Sequence, residues 1–163
     1  MNISIRNACQ ADLPQLVALE ERSYPASEAA TPEAFAYRVA YMGDWFFAAE
    51  KDGQIVGLMS NRRTALDYID DSLYEPTGDF TGDYLAILSV VTDPEQRRQG
   101  IAGAMIRHTI AAAQAAGLTG LTLACKERLL PFYASFGFVS QGVSSSVHGG
   151  AIWYDMKLML RKP

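Results

Sequence analysis

The chain has little cysteine, little histidine and no excess of positive charge, and each shortage removes a class of function. Two cysteines in 163 residues, Cys9 and Cys125, give no disulfide framework and predict a reducing, cytoplasmic setting. Fourteen Lys and Arg against 18 Asp and Glu leave a net charge of −4, which argues against the basic face that nucleic-acid binding requires. No uninterrupted apolar run approaches the roughly 20 residues of a membrane span. The polar breaks in "MNISIRNACQADL" do not read as a signal peptide. The expected partners therefore include neither nucleic acid nor membrane. No internal repeat is visible, and the length predicts one domain, residues 1–163, with enough chain for a real core.

What is there is a regular alternation of short elements. "NISIRNA" reads as a first strand, and "QADLPQLVALEERSYP" as a helix with Asp12 as N-cap and Pro14 in its first turn. "TPEAFAYRVAYM" is a second helix capped by Thr31, and "WFFAAEKDGQIVGLMSNR" a hairpin turning at Asp52-Gly53. Residues 63 to 83 carry six of the 18 acids and read as a long, partly helical loop, a length that points to function. "LAILSVV" is then a buried strand and "AGAMIRHTIAAAQAAG" an amphipathic helix ending at Gly117. "LTGLTLACK", "RLLPFYASFG", "FVSQGVSS" and "AIWYDMKLML" add strand, short helix, strand and strand. The order β-α-α-β-β-β-α-β-α-β-β predicts an α/β domain with a mixed sheet.

The chemistry concentrates in "TDPEQRRQGIAGAMI", Thr92 to Ile106, where a strand runs through two arginines and a glycine turn into a helix. First-turn N–H groups lack intrahelical partners, and the helix dipole favours an anion there. The glycines Gly100 and Gly103 make neither a P-loop, which needs a following Lys-Ser or Lys-Thr, nor a dinucleotide G-x-G-x-x-G. What they make is Arg97-x-x-Gly100-x-Ala102-Gly103, small residues through which backbone N–H groups cradle an anion.

That pattern resembles the (Arg/Gln)-x-x-Gly-x-(Gly/Ala) signature of the GNAT N-acetyltransferases, with "LSVVTDPEQ" before it and "LPFYASFGF" after it in the family's manner. The resemblance covers nearly the whole chain. It implies a single-domain GNAT fold, a mostly antiparallel sheet that holds acetyl-CoA between splayed fourth and fifth strands, and no metal. The cofactor residues it implies are Val90, Val91, Thr92, Arg97, Arg98, Gln99, Gly100, Ile101, Ala102 and Gly103. Val90 and Thr92 would meet the pantetheine arm, and the N–H groups from Arg98 to Gly103 the pyrophosphate.

"LACKERLLPFYASFGF" is similar to the serotonin and arylalkylamine N-acetyltransferases, whose tyrosine protonates the departing CoA thiolate; the match falls on Tyr133. A phenol stays protonated at neutral pH and is matched to a thiol in strength. The chain departs from that subgroup's vertebrate members in lacking His-x-His at Ala86 and Leu88, and its two histidines, His108 and His148, lie off that strand. The remaining candidate base by resemblance to the insect enzymes is Glu28, with Glu20, Glu21, Asp83 and a water relay as rivals. Cys125 has no evident His partner, so a thiol nucleophile is rejected and direct attack by the amine expected.

The resemblance thus implies acetyl transfer to a small primary amine by a monomer or homodimer. Protein N-terminal or lysine acetylation, or a non-catalytic acyl-CoA module, are the alternatives. An ammonium acceptor calls for aromatic walls and carboxylates. Tyr24, Phe35, Tyr37 and Tyr41 with Glu28 and Glu33, and Tyr68, Tyr74 and Phe80 with the loop acids, are expected to supply them.

Overall fold

A computed structural model describes residues 2–160. The elements follow the expected order: β1 (Ser4–Asn7), α1 (Leu13–Ser23), α2 (Pro32–Met42), β2 (Phe46–Lys51), β3 (Gln54–Thr64), β4 (Tyr84–Thr92), α3 (Ile101–Ala115), β5 (Gly120–Cys125), α4 (Leu130–Ala134), β6 (Val139–Val143) and β7 (Tyr154–Met159). The seven strands form one sheet in the order β1-β2-β3-β4-β5-β7-β6. Among the described residues only the β4–β5 pair is parallel. No helix among the described residues is long and apolar enough to cross a membrane.

Both faces of the sheet centre are covered, which is why β4 and the first half of β3, Ile55 to Met59, read as near-continuous apolar runs rather than alternating ones. Leu16 and Leu19 of α1 and Phe35 of α2 pack with Phe46 and Leu58 on one face. Ile101, Met105 and Ile106 of α3 pack with Met59, Leu85 and Leu121 on the other. Gly57 lets α3 come this close, because a Cβ there would stand 3.0 Å from Met105 and 3.1 Å from Ile101.

Two caps test the local reading. Thr31 Oγ1 accepts the Ala34 N–H at 3.1 Å, as expected. The side chain of Asp12 does not cap α1. It accepts the Cys9 N–H at 2.9 Å and two Arg6 N–H groups at 2.7 and 2.9 Å. The Arg6 hydrogen bonds chiefly hold its carboxyl down at about 2. A partner on β1 outbids the helix end, a contact no local pattern reveals.

The feature that makes room for a ligand is a bulge in β4. Ser60 faces Ser89 and Asn61 faces Ile87, so Leu88 has no opposite number on β3. Pairing with β5 stops at the same point, with Ile87 and Leu123 the last partners. Beyond it β4 follows β3 to Thr92 while β5 follows β7 to Cys125, and the sheet opens into a V.

One side chain gathers four carbonyls of the long acidic loop. Buried Arg62 donates to the carbonyls of Leu73, Glu75, Thr77 and Asp79 at 2.7–3.1 Å, and its guanidinium lies 4.4 Å from the Phe80 ring centre. A lysine has one nitrogen for these four acceptors. Arg62→Lys is expected to cost about 2 kcal/mol, roughly a 4–8 °C drop in Tm for a chain of this size. An unchanged Tm in a calorimetric scan would mean the loop is held by other contacts.

Candidate active site

The turn after β4 is built from two left-handed residues. Arg98 has φ 67° and Gly100 φ 75°, and between them the backbone N–H groups turn toward one side. No side chain caps α3, and its first helical bond runs from the Ala104 N–H to the Gly100 carbonyl at 3.0 Å. The N–H groups of Ile101, Ala102 and Gly103 are therefore left for a ligand, at the positive end of the helix dipole. A cleft of about 510 Å³ opens there, with Arg97, Arg98 and Arg128 on its walls.

Nine of the ten expected cofactor residues line this cleft: Val90, Val91, Thr92, Arg97, Arg98, Gly100, Ile101, Ala102 and Gly103. Gln99 does not. Its amide accepts Lys51 Nζ and donates to Gln96, both at 3.1 Å, so its side chain is held toward the end of β2. The opposite wall consists of Arg128, Leu129 and Phe132 from the segment entering α4.

A second cavity, about 640 Å³, lies on the other side of the V. Ser23, Tyr24, Val90, Arg128, Leu129 and Tyr133 line both spaces, so the two meet there. Tyr133 is 8% exposed and packs edge-on against Phe132 and Phe138. Burial pushes its hydroxyl above the usual phenol value, which keeps the proton on oxygen at neutral pH. The Tyr24 hydroxyl donates to the Val90 carbonyl at 3.2 Å across the mouth of the V.

The carboxylates divide sharply. Glu21 and Asp83 are exposed and face neither cavity. Glu28 lines the chamber in an ion pair, with Lys126 Nζ 2.9 Å from Oε1 and 3.1 Å from Oε2. Glu20 lines it too, at 2% exposure. Its Oε2 accepts the Ala30 N–H at 2.8 Å and the Ser89 hydroxyl at 3.5 Å, while Oε1 has no partner among the described residues. Desolvation raises its carboxyl above the ordinary range, opposed by the Ala30 bond and by Arg38.

The expected aromatic wall is only partly present. Tyr24 and Tyr74 line the chamber, as do Asp71 and Glu75 of the loop acids. Phe35 is instead fully buried core against Phe46, and Tyr37, Tyr41 and Phe80 form a separate cluster with centroids 4.4 and 5.5 Å apart. Tyr68 and Glu33 are exposed away from the cavity. In their place stand Trp153, which the sequence marked only as part of a strand, and His148, expected off the substrate strand. The His148 ring stacks 4.3 Å from Tyr74, and its Nε2 sits 2.8 Å from the Glu28 carbonyl. Trp153 Nε1 donates to the His148 carbonyl at 2.8 Å. The β5–β7 register, with Cys125 facing Tyr154, is what brings Trp153 beside Lys126. His108 stays outside, exposed on α3 and edge-on to Phe47.

A splayed parallel pair with an uncapped helix at one side and a second cavity meeting the cleft at the other is an arrangement that can hold an extended anionic ligand against a reaction chamber. The chain belongs to the acetyltransferase (GNAT) family, whose model matches residues 13–138. Membership makes it a GNAT-family acetyltransferase. Its fold is similar to a GphF GNAT-like decarboxylase in complex with isobutyryl-CoA, at 22% identity and TM-score 0.84, over 97% of this chain and 100% of that one. It is also similar to the ribosomal-protein-S18-alanine N-acetyltransferase from Escherichia coli, at 18% identity and TM-score 0.75, over 99% and 96%. A GNAT family acetyltransferase from Brucella melitensis in complex with acetyl-CoA matches at 18% and TM-score 0.69, over 99% and 90%. Among the described residues no group of three or more His, Cys, Asp or Glu is placed to hold a metal ion.

Proposed function

We propose that the acceptor is a small primary amine of arylalkylamine size, and that the acetyl group passes to it by direct attack on the thioester. The observation that carries this reading is the junction of the two cavities at Tyr133. Acetyl-CoA lies along the cleft with its pyrophosphate on the N–H groups of Ile101, Ala102 and Gly103, and its thioester reaches the junction. The amine enters through the chamber, where Tyr74 and Trp153 supply aromatic faces and the four acids Glu20, Glu28, Asp71 and Glu75 outnumber the three cations Arg38, Lys126 and Arg128, a balance that favours an ammonium ion. The chamber's volume lies in the range of small-ligand sites. Nitrogen attacks the carbonyl carbon, the C–S bond breaks toward sulfur, and the Tyr133 hydroxyl protonates the leaving thiolate.

In this reading Glu28 orients the ammonium rather than taking its proton, since Lys126 already neutralises it: Nζ donates to Oε2 at 3.1 Å and stands 2.9 Å from Oε1. The test is a parallel assay of CoA release with phenethylamine, spermidine, a peptide with an N-terminal alanine and free glutamate. Phenethylamine is expected to exceed glutamate in kcat/KM by at least about tenfold, the scale of one unfavourable charge in a partly desolvated site. A preference for glutamate or for the peptide overturns the acceptor assignment.

A further inference from the structure

We propose that Glu20 is the catalytic base that takes the first proton from the incoming ammonium ion. This rests on the amine-acceptor reading above and deepens it. The carboxylate sits in the chamber wall between α1, β4 and the segment before α2, almost wholly out of solvent. One oxygen is pinned by the Ala30 N–H and Ser89, and the other is buried with no protein partner. A buried carboxylate oxygen without a donor is costly, and this one lines the space through which the donor must arrive. Each rival acid is either exposed, as Glu21 and Asp83 are, or engaged by a lysine, as Glu28 is.

The groups that face Glu20 set its strength. Arg38 from α2 and His148 from the loop before β7 favour its ionised form, and Tyr24 and Tyr74 are neutral neighbours. Burial outweighs them and raises the carboxyl, which makes it a stronger base than a solvated glutamate. The protons then balance. Glu20 accepts one proton from the ammonium ion and passes it to solvent. The free amine attacks, Tyr133 gives its proton to the departing sulfur, and the tyrosinate is restored by the second proton on the nitrogen of the adduct.

The raised carboxyl also fixes the stability sign. The native state holds this proton more tightly than the unfolded chain, so the group's contribution is favourable at low pH and becomes a cost as pH rises through its folded value. Glu20→Gln keeps an oxygen for the Ala30 N–H and removes that cost. Its Tm at neutral pH is expected to equal or exceed the parent's.

The experiment compares Glu20→Gln with the parent on phenethylamine and on β,β-difluorophenethylamine, an acceptor of the same shape whose amine is far less basic. The variant is expected to lose about 100-fold in kcat/KM on phenethylamine and much less on the fluorinated amine, which needs no base. The acidic limb of the parent's kcat/KM profile on phenethylamine is expected to be replaced in the variant by a rise that continues up to the amine's own pKa. Formate is expected to restore turnover to Glu20→Ala. An equal loss on both amines, or no loss, together with no recovery by formate, overturns the assignment. Parent turnover of phenethylamine tests the acceptor reading separately, and where a peptide is the better acceptor the same variant-to-parent ratio is read on its α-amino group.

Discussion

Gly100→Asp is expected to abolish measurable acetyl-CoA binding, a loss of at least about 100-fold or 2.7 kcal/mol. Two effects act together. Gly100 has φ 75° and ψ 16°, a left-handed conformation that costs a non-glycine residue about 1–3 kcal/mol. The new carboxylate then stands at the helix end that is to receive a pyrophosphate, and like charges about 4 Å apart near a protein surface repel by about 4 kcal/mol. Gly100→Ala bears the same strain without the charge. It is expected to lower Tm while keeping most of the affinity, so calorimetric titration of the pair separates charge from strain. Unaltered binding by the aspartate variant would place the pyrophosphate elsewhere.

Tyr133→Phe is expected to lower kcat by about 100-fold or more, near 2.7 kcal/mol of barrier, with the fold and the acetyl-CoA Kd unchanged. The substitution removes only a hydroxyl, and the ring keeps its contacts with Phe132 and Phe138. The loss belongs to kcat because the sulfur needs its proton only as the C–S bond breaks. Since burial holds the phenol above its ordinary value, Tyr133 itself imposes no fall in kcat on the parent up to about pH 10. An unchanged kcat under conditions where chemistry limits the rate would remove Tyr133 from the acid role.

The cofactor cleft was legible in the sequence because it is local. Strand, turn and helix follow one another from Tyr84 to Ala115, and the glycine and arginine spacing needs no distant partner. The Gln99 side chain turns away from the cleft toward Lys51, 48 residues away, a direction that local spacing does not carry. The acceptor chamber is the opposite case. Glu20 meets Ser89 across 69 positions, Asp71 meets the Val147 N–H across 76, Lys126 meets Glu28 across 98 and His148 meets Glu28 across 120. No periodicity connects such residues. The aromatic and acidic content of this segment put Phe35 and Tyr37 with Glu33 in the expected pocket, whereas the burial of α2 against β2 turned Phe35 into core. The bulge at Leu88 that opens the V leaves no mark in "LAILSVV" beyond the single polar Ser89.

The central claim is that acetyl passes from sulfur to an amine nitrogen where cleft and chamber meet. The direct measurement is a single-turnover reaction of enzyme-bound acetyl-CoA with phenethylamine, quenched in time and read by mass spectrometry of CoA, amine and intact protein. The account predicts that N-acetylphenethylamine and free CoA appear together in equal amounts. It also predicts that the protein never gains an acetyl group, and that both products are slowed alike in Tyr133→Phe. Release of CoA without acetylated amine, or an acetyl group carried on Cys125, would contradict it.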